Sequence, residues 1–423
     1  MMNRKFDANS RFFSYRDGQL YAESVNVAEI AESYRTPLYV YSKSDILDSF
    51  QSYKKGLQGI PHLIAFAVKA NGNLSILNTL GKEGAGADLT SGGEMHLALR
   101  GGIPADRMVF SGVGKTRTEI IDALDVGILM FNVESEPELD AIESIAREKG
   151  KPAPIAVRVN PDIDAKTHPK ITTGLKEHKF GVPIEHAYHL YRKAVASPYL
   201  KIQGIASHIG SSLQDTAPLL EAMQRLLNLK QRLLENGIPI AYVDLGGGLG
   251  IRYNRETPDL PETYARKLAE RIRDDGATLI IEPGRSIVGN AGILLCRVVY
   301  VKRSAERTFV VVDAGMNDLA RPAIYGAYHR IVPVHITTEK EEIVDVVGPI
   351  CESSDVFGRQ IPLPPCKSGD LLAICSAGAY GYAMSSHYNG RVRPAEALVE
   401  ENHHWLVRKR ETYEVLWQNQ MMV

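Results

Sequence analysis

Cysteine and tryptophan are scarce in this chain, with four and two copies among 423 residues. Cys296, Cys351, Cys366 and Cys375 form no C-x-x-C pair and no zinc-like spacing, which argues against a disulfide scaffold or a cysteine-rich metal module. A reduced cytoplasmic protein is the simplest expectation. No run of 18 apolar residues occurs, so no membrane span is expected. The opening Met1-Met2-Asn3-Arg4-Lys5-Phe6 lacks the apolar core of a signal peptide. Charge of either sign is not in excess: 49 Lys and Arg stand against 50 Asp and Glu, for a net charge of -1. The longest basic run is Arg408-Lys409-Arg410, and without a dense basic tract no nucleic-acid partner is expected. Internal repeats, low-complexity tracts and long flexible linkers are missing too.

What is present is a change of pattern along the chain. Residues 1–40 hold short alternating segments such as Gln19-Leu20-Tyr21-Ala22 and Leu38-Tyr39-Val40-Tyr41, more strand than helix. Ser44-Asp45-Ile46-Leu47 opens a helix to about Gly56. Strand-like runs then end near Lys69, Asp88, Phe110, Phe131, Arg158, His208, Leu245 and Glu282. Helical patterns separate them at 75–83, 93–100, 116–125, 135–149, 185–196, 215–236 and 262–274. Eight strands alternating with helices predict an α/β fold, a (β/α)₈ TIM-like barrel. After Gly284 the runs Ile293–Val301, Thr308–Asp313, Arg330–Ile336, Ile343–Val347 and Leu371–Cys375 predict a C-terminal all-β domain. Ile361-Pro362-Leu363-Pro364-Pro365 reads as a loop. The expected division is 1–35, strands joining the β domain; 36–286, the barrel; and 287–423, the β domain.

In a parallel barrel the reactive face lies at the carboxyl ends of the strands. Lys69, Asp88, Arg158, His208, the glycines after Leu245 and Glu282 all fall there. Lys69 ends the buried run Leu63–Val68, where desolvation favours a neutral amine able to attack a carbonyl. Taken alone it is an ordinary charged strand end. Asp244-Leu245-Gly246-Gly247-Gly248-Leu249-Gly250 follows the seventh strand, and consecutive glycines let backbone N–H groups cradle a phosphate. A structural turn is the alternative, and a dinucleotide fingerprint fails on spacing and position. Ser207-His208-Ile209-Gly210-Ser211 could add Ser211 to the phosphate and the flat ring of His208 to whatever the phosphate carries. Buried Glu282 needs a positive partner: a protonated pyridine nitrogen, or Arg285 in a structural ion pair. Lysine, cradle and carboxylate together describe a pyridoxal phosphate site.

The chain resembles the fold-type III pyridoxal phosphate enzymes, the family of alanine racemase and the basic amino acid decarboxylases. Within it the resemblance is closest to the diaminopimelate decarboxylases, from about residue 36 onward. The matching motifs are Phe66-Ala67-Val68-Lys69-Ala70-Asn71, Gly174-Leu175-Lys176-Glu177-His178-Lys179-Phe180-Gly181, Ser207-His208-Ile209-Gly210-Ser211, Gly246-Gly247-Gly248 and Glu282-Pro283-Gly284-Arg285. Three more separate this group from the racemases: Arg321-Pro322-Ala323-Ile324-Tyr325, Cys351-Glu352-Ser353-Ser354-Asp355 and Gly378-Ala379-Tyr380. Phe66 stands where the family usually has tyrosine. The resemblance implies that Lys69 attaches pyridoxal 5'-phosphate as a Schiff base and that His208 stacks on its ring. Asp88, Arg158, Ser211, Gly246, Gly247, Gly248, Glu282, Gly284, Arg285 and Tyr380 would complete the cofactor site. Arg285, Arg321, Tyr325, Glu352 and Tyr380 would hold the amino-acid substrate. Cys351 would return a proton after carbon dioxide leaves, and it and Glu352 would come from the second subunit of a homodimer.

The activity so implied is decarboxylation of meso-2,6-diaminopimelate to L-lysine. Ornithine and lysine end in an ammonium, so their pocket has no use for a distal arginine, whereas Arg321 suits a distal carboxylate through a bidentate pair. Decarboxylation of another amino acid, racemisation, and a non-catalytic cofactor carrier are the alternatives. Glu185, His186 and His189 lie at helical spacing without completing a ligand set, and no metal is expected. His403-His404 reads as an exposed stretch between β segments. Cys296, Cys366 and Cys375 read as structural thiols.

Overall fold

The computed structural model of the chain describes residues 9–163 and 179–423. It has two compact units: Ser49–Ile251 with Thr257–Ser286, and the segments ending at Asp48, Arg252–Glu256 and Ile287–Val423.

In the first unit, eight parallel strands among the described residues close into a barrel. They are His62–Ala67, Gly86–Leu89, Met108–Phe110, Met130–Val133, Ala153–Asn160, Leu200–Ala206, Tyr242–Asp244 and Thr278–Ile281. Each pairs with the next, and the eighth returns to the first through Ile280 opposite Leu63. The sequence encodes this arrangement locally. Short β-branched and apolar runs alternate with amphipathic helices whose starts carry their own caps. Asn73, Ser91, Thr116 and Ser135 each accept a backbone N–H of the helix that follows, and Thr116 with Glu119 forms a reciprocal capping box. The eight expected strands and the seven expected helices between them all form, within a few residues of their expected bounds.

Strand alternation then decides what the barrel contains. Leu63, Ala65, Val109, Met130, Ala156, Ala206 and Ile280 pack together inside it, with Tyr242 against them. Successive side chains point to opposite faces, so positions two residues on share a face. Two steps toward the carboxyl ends, that face carries Ser111, Asn132, Arg158, His208, Asp244 and Glu282. The apolar filling gives way to a polar layer because the strands run out of apolar residues on one face at the same height.

The second unit is mostly β. Its main sheet runs Val356–Leu363, Glu342–Val347, Thr308–Val312, Gly292–Arg303, Leu38–Ser42, Ala395–Glu400 and His403–Arg408, with Leu371–Ile374 also on the long strand Gly292–Arg303. Leu38–Ser42, expected within the barrel segment, pairs antiparallel to Gly292–Arg303 and parallel to Ala395–Glu400. All five of its residues are buried, so both faces of this central strand are covered. Phe13–Arg16, Gln19–Ala22 and Val25–Asn26 form a separate three-stranded sheet.

Several expectations need correction. Val27–Tyr34 is a helix, capped by the Asn26 side chain and burying Val27, Ile30 and Ala31. The helix expected from Ser44 starts at Lys43, and Ser42 Oγ accepts the Asp45 N–H at 3.1 Å. Ile361–Leu363 is the end of a strand and not a loop. Pro362 is tolerated because that strand is an edge, where its missing N–H costs no ladder bond. His403 and His404 begin an edge strand, with His404 Nδ1 3.1 Å from the Tyr34 hydroxyl.

Candidate active site

Lys69 sits in a single 3₁₀ turn, Val68–Ala70, directly after the first barrel strand. Its Nζ donates to Asp88 Oδ2 at 2.6 Å, from the end of the second strand. Asp88 is fully buried, and its Oδ1 has no hydrogen-bond partner among the described residues. The turn is braced from the eighth strand, since Ala67 N–H donates to Pro283 O at 3.2 Å. Gly284 allows this approach: a Cβ there would lie 2.9 Å from the Ala70 methyl. Phe66 is fully buried one residue before Ala67.

The glycine loop interlocks with its neighbours. A Cβ on Gly246 would fall 2.7 Å from Ser207 O, on Gly247 2.4 Å from Glu282 O, and on Gly248 2.9 Å from Gly210 O. Gly248 also has φ +132°, a backbone state that side chains disfavour. Leu213 N–H donates to Gly248 O at 2.9 Å and Gly250 N–H to Leu213 O at 2.8 Å, tying this loop to the one after the sixth strand. Gly247 N–H donates to His208 Nδ1 at 3.2 Å, which places the ring proton on Nε2. Burial, with the cations of Arg158 and Lys69 nearby, holds His208 neutral, well below the ordinary histidine range. Arg285 Nη2 donates to Ser211 Oγ at 3.2 Å.

Arg158 meets Glu134, which sequence reasoning missed. Arg158 Nη1 donates to Glu134 Oε1 at 2.8 Å, and Glu134 also accepts the N–H groups of Gly112 and Gly181. Gly181 closes the motif Gly174–Gly181, of which 174–178 lie outside the described residues. Asn132 and Asp244 were likewise missed. Asn132 Nδ2 donates to Asp244 Oδ2 at 2.9 Å, and Asp244 hydrogen-bonds Glu282. Both signals lay in the period of two: a polar residue on the inward face of an otherwise apolar strand.

The remaining expected residues lie in the β unit. Arg321 and Tyr325 begin and end a five-residue helix. Arg321 is buried, and its Nη1 donates to His329 Nε2 at 2.8 Å; His329 Nδ1–H donates to Cys375 O at 2.9 Å. The guanidinium also lies 4.8 Å over the Tyr253 ring. Cys351 and Glu352 are exposed on a braced turn. Cys351 N–H donates to Asn389 Oδ1 at 2.8 Å, the Tyr388 hydroxyl donates to Glu352 Oε2 at 2.7 Å, and buried Asp355 accepts the N–H groups of Ile350 and Met316. Tyr380 follows Gly378 in a left-handed conformation, φ +56°. Cys296 and Cys375 are buried, and no disulfide joins the four cysteines. His186 and His189 lie on the helix Ile184–Val195, 6.1 Å apart between ring centroids.

The barrel site suits a phosphorylated pyridine aldehyde. Lys69 is an amine on a rigid base, the close-packed glycine loop is a cradle that any Cβ would fill, and Asp88, Asp244 and Glu282 leave negative charge for a ring cation to meet. That is the class of pyridoxal phosphate enzymes built on a parallel barrel. In agreement, residues 43–289 match the family model of the pyridoxal-dependent decarboxylase, pyridoxal binding domain. A diaminopimelate decarboxylase of Aquifex aeolicus is 48% identical over 406 residues, 96% of each chain. The structure of the Helicobacter pylori diaminopimelate decarboxylase complexed with L-lysine matches with a TM-score of 0.90 at 44% identity, covering 93% of this chain and 98% of that one. That of the M. jannaschii enzyme in co-complex with L-lysine matches with a TM-score of 0.93 at 38% identity, over 99% of both. The chain belongs to the diaminopimelate decarboxylases.

Proposed function

We propose that this chain decarboxylates meso-2,6-diaminopimelate to L-lysine and carbon dioxide with pyridoxal 5'-phosphate, the last step in making lysine. The observation that carries the reading is the set of groups at one end of the barrel: the Lys69 amine 2.6 Å from Asp88, beside the glycine loop and Glu282. When bound, the cofactor supplies a ring that accepts the electron pair left by departing carbon dioxide.

Each residue then has a task. Lys69 is the point of attachment, and Asp88 orients its amine. Gly246, Gly247, Gly248, Gly284, Ser211 and Arg285 surround the phosphate, with Tyr380 as a further contact. Neutral His208 presents its ring face, and Glu282 holds the proton on the ring nitrogen. Arg158, fixed by Glu134, lines the same mouth. Arg285, Arg321, Tyr325, Glu352 and Tyr380 receive the substrate, Arg321 taking the distal carboxylate and Glu352 the distal amine. Cys351 gives the proton that completes lysine. The exposure of Cys351 and Glu352 on a braced turn supports a homodimer in which they serve the partner's site. Cysteines that form no disulfide support a cytoplasmic setting.

The test is carbon dioxide release by the purified protein with cofactor and a panel of meso-diaminopimelate, ornithine, lysine and arginine. Turnover confined to meso-diaminopimelate, with lysine as product, is expected. Equal turnover of ornithine would overturn the substrate assignment.

A further inference from the structure

Asp244 ends the seventh barrel strand, is 1% exposed, and has no task in the scheme above. Its Oδ1 accepts the Gly246 N–H at 3.0 Å, its Oδ2 accepts from Asn132 Nδ2 at 2.9 Å, and its carboxyl hydrogen-bonds that of Glu282. Asn132 Nδ2 also donates to Ser111 Oγ at 3.1 Å. The network therefore ties the third, fourth, seventh and eighth strands together just below Glu282.

A tie between strands does not need a second acid. An amide in place of Asp244 would tie them without placing one carboxyl against another. Two acids in contact cannot both ionise freely, so they share a proton, and each makes the other a stronger base.

We infer that Asp244 is a positioning residue for the cofactor's ring nitrogen: it fixes the Glu282 carboxyl and, through the pair's shared negative charge, strengthens Glu282 as a base toward the proton on that nitrogen. This rests on the assignment of Glu282 to the ring nitrogen.

The surrounding charges agree with it. Asp88 at the second strand and Lys69 after the first face the pair, with Arg158 and His208 at the fifth and sixth strand ends. Burial pushes Asp244 up to about 6, and the charge of Asp88 adds to this against the hydrogen bonds from Gly246, Asn132 and Glu282. Burial pushes Glu282 well up, Asp244 and Asp88 adding and Lys69 opposing. The pair alone thus keeps a proton that a ring cation would release it from needing.

The experiment uses holoenzyme loaded with cofactor carrying ¹⁵N at the ring nitrogen, with its NMR shift followed against pH. The wild type should stay at the protonated position. Asp244→Asn, which keeps the acceptor for Gly246, should move the resonance toward the unprotonated position and weaken cofactor binding about ten- to hundredfold, the loss expected for a hydrogen bond to a charged group. Glu282→Gln should move it further, and adding Asp244→Asn to Glu282→Gln should change nothing more. A wild-type shift in Asp244→Asn, or an additive double variant, overturns the inference. A Glu282→Gln enzyme indistinguishable from wild type overturns the Glu282 assignment itself, and the inference with it.

Two further measurements guard against a variant that fails to fold. In the apoprotein a carboxyl with a raised native pKa keeps a proton that the unfolded chain releases. Stability is then lost as pH rises from the unfolded value, about 4, through about 6 for Asp244. Asp244→Asn lacks this share, so its melting temperature should gain on the wild type across that window; parallel curves overturn the inference. Asn132→Ala, which removes a donor that favours ionised Asp244 and so lessens the negative charge beside Glu282, should displace the ring-nitrogen titration in the same direction as Asp244→Asn. No displacement there also overturns it.

Discussion

Arg321, proposed above to take the distal carboxylate, shows how a buried guanidinium is held. It is buried, which is costly for a guanidinium unless its donors are satisfied. His329 meets one of them as a neutral acceptor, because its other nitrogen is committed to the Cys375 carbonyl. A neutral acceptor orients the fork without cancelling its charge, and the Tyr253 ring supports one face. Arg321→Ala should therefore weaken capture of meso-diaminopimelate by about 2–5 kcal/mol, the range for truncating one partner of a buried charge pair. Steady-state kinetics should show this in kcat/KM while cofactor affinity stays near wild type. An equal loss for a substrate without the distal carboxylate would make Arg321 structural. At this scale the strand-end residues Lys69, Asp88, Arg158, His208 and Glu282 were legible, because each interrupts an apolar run where a barrel exposes its mouth. His329 and Asp244 were not. A lone histidine in a loop and an aspartate before glycines have ordinary uses, and only their neighbours in space give them others.

At the scale of elements, the loop Gly246–Gly248 depends on what approaches it. Gly247 has no need of a positive φ; its methyl group would strike the carbonyl of Glu282 at 2.4 Å. Gly247→Ala must push back the residue that ends the eighth strand. Overpacking of this kind costs typically about 1–3 kcal/mol. The variant should fold with a lowered melting temperature and bind pyridoxal phosphate at least about tenfold more weakly, since one such shift displaces both cradle and carboxylate. Titration of the apoprotein followed by visible absorbance measures this, and unchanged affinity would show that the loop has slack. The barrel elements were legible because strand and helix periods alternate cleanly and the helices carry side-chain caps. The β unit was harder. Val356–Leu363 contains Gly358 and Pro362, residue types common in turns, yet it is an edge strand. Ala395–Glu400 buries Glu396 against the Tyr41 hydroxyl and Arg408, a pairing that no local pattern announces. Val27–Tyr34 is only eight residues long and follows directly on strands.

For the whole molecule the question is which chain supplies the last proton. A donor must reach one carbon from a fixed direction, and the turn carrying Cys351 is fixed: Asn389 holds its N–H, Tyr388 holds Glu352, and Asp355 ties the Ile350 N–H to the segment at Met316. Yet in the single chain Cys351 is exposed, where water competes for every proton it could give. A turn braced to this degree and left open suits delivery into a second copy. Lys69→Ala removes the attachment point and Cys351→Ala removes the donor, general acid catalysis contributing about 10²–10⁴-fold. Each variant alone should be nearly inactive. Mixed one to one under conditions that exchange subunits, half of the symmetric dimers become hybrids, and one site of each hybrid has both residues intact. Activity should return to roughly a quarter of the wild-type value. If mass spectrometry shows hybrids but activity does not return, Lys69 and Cys351 do not act together across two chains.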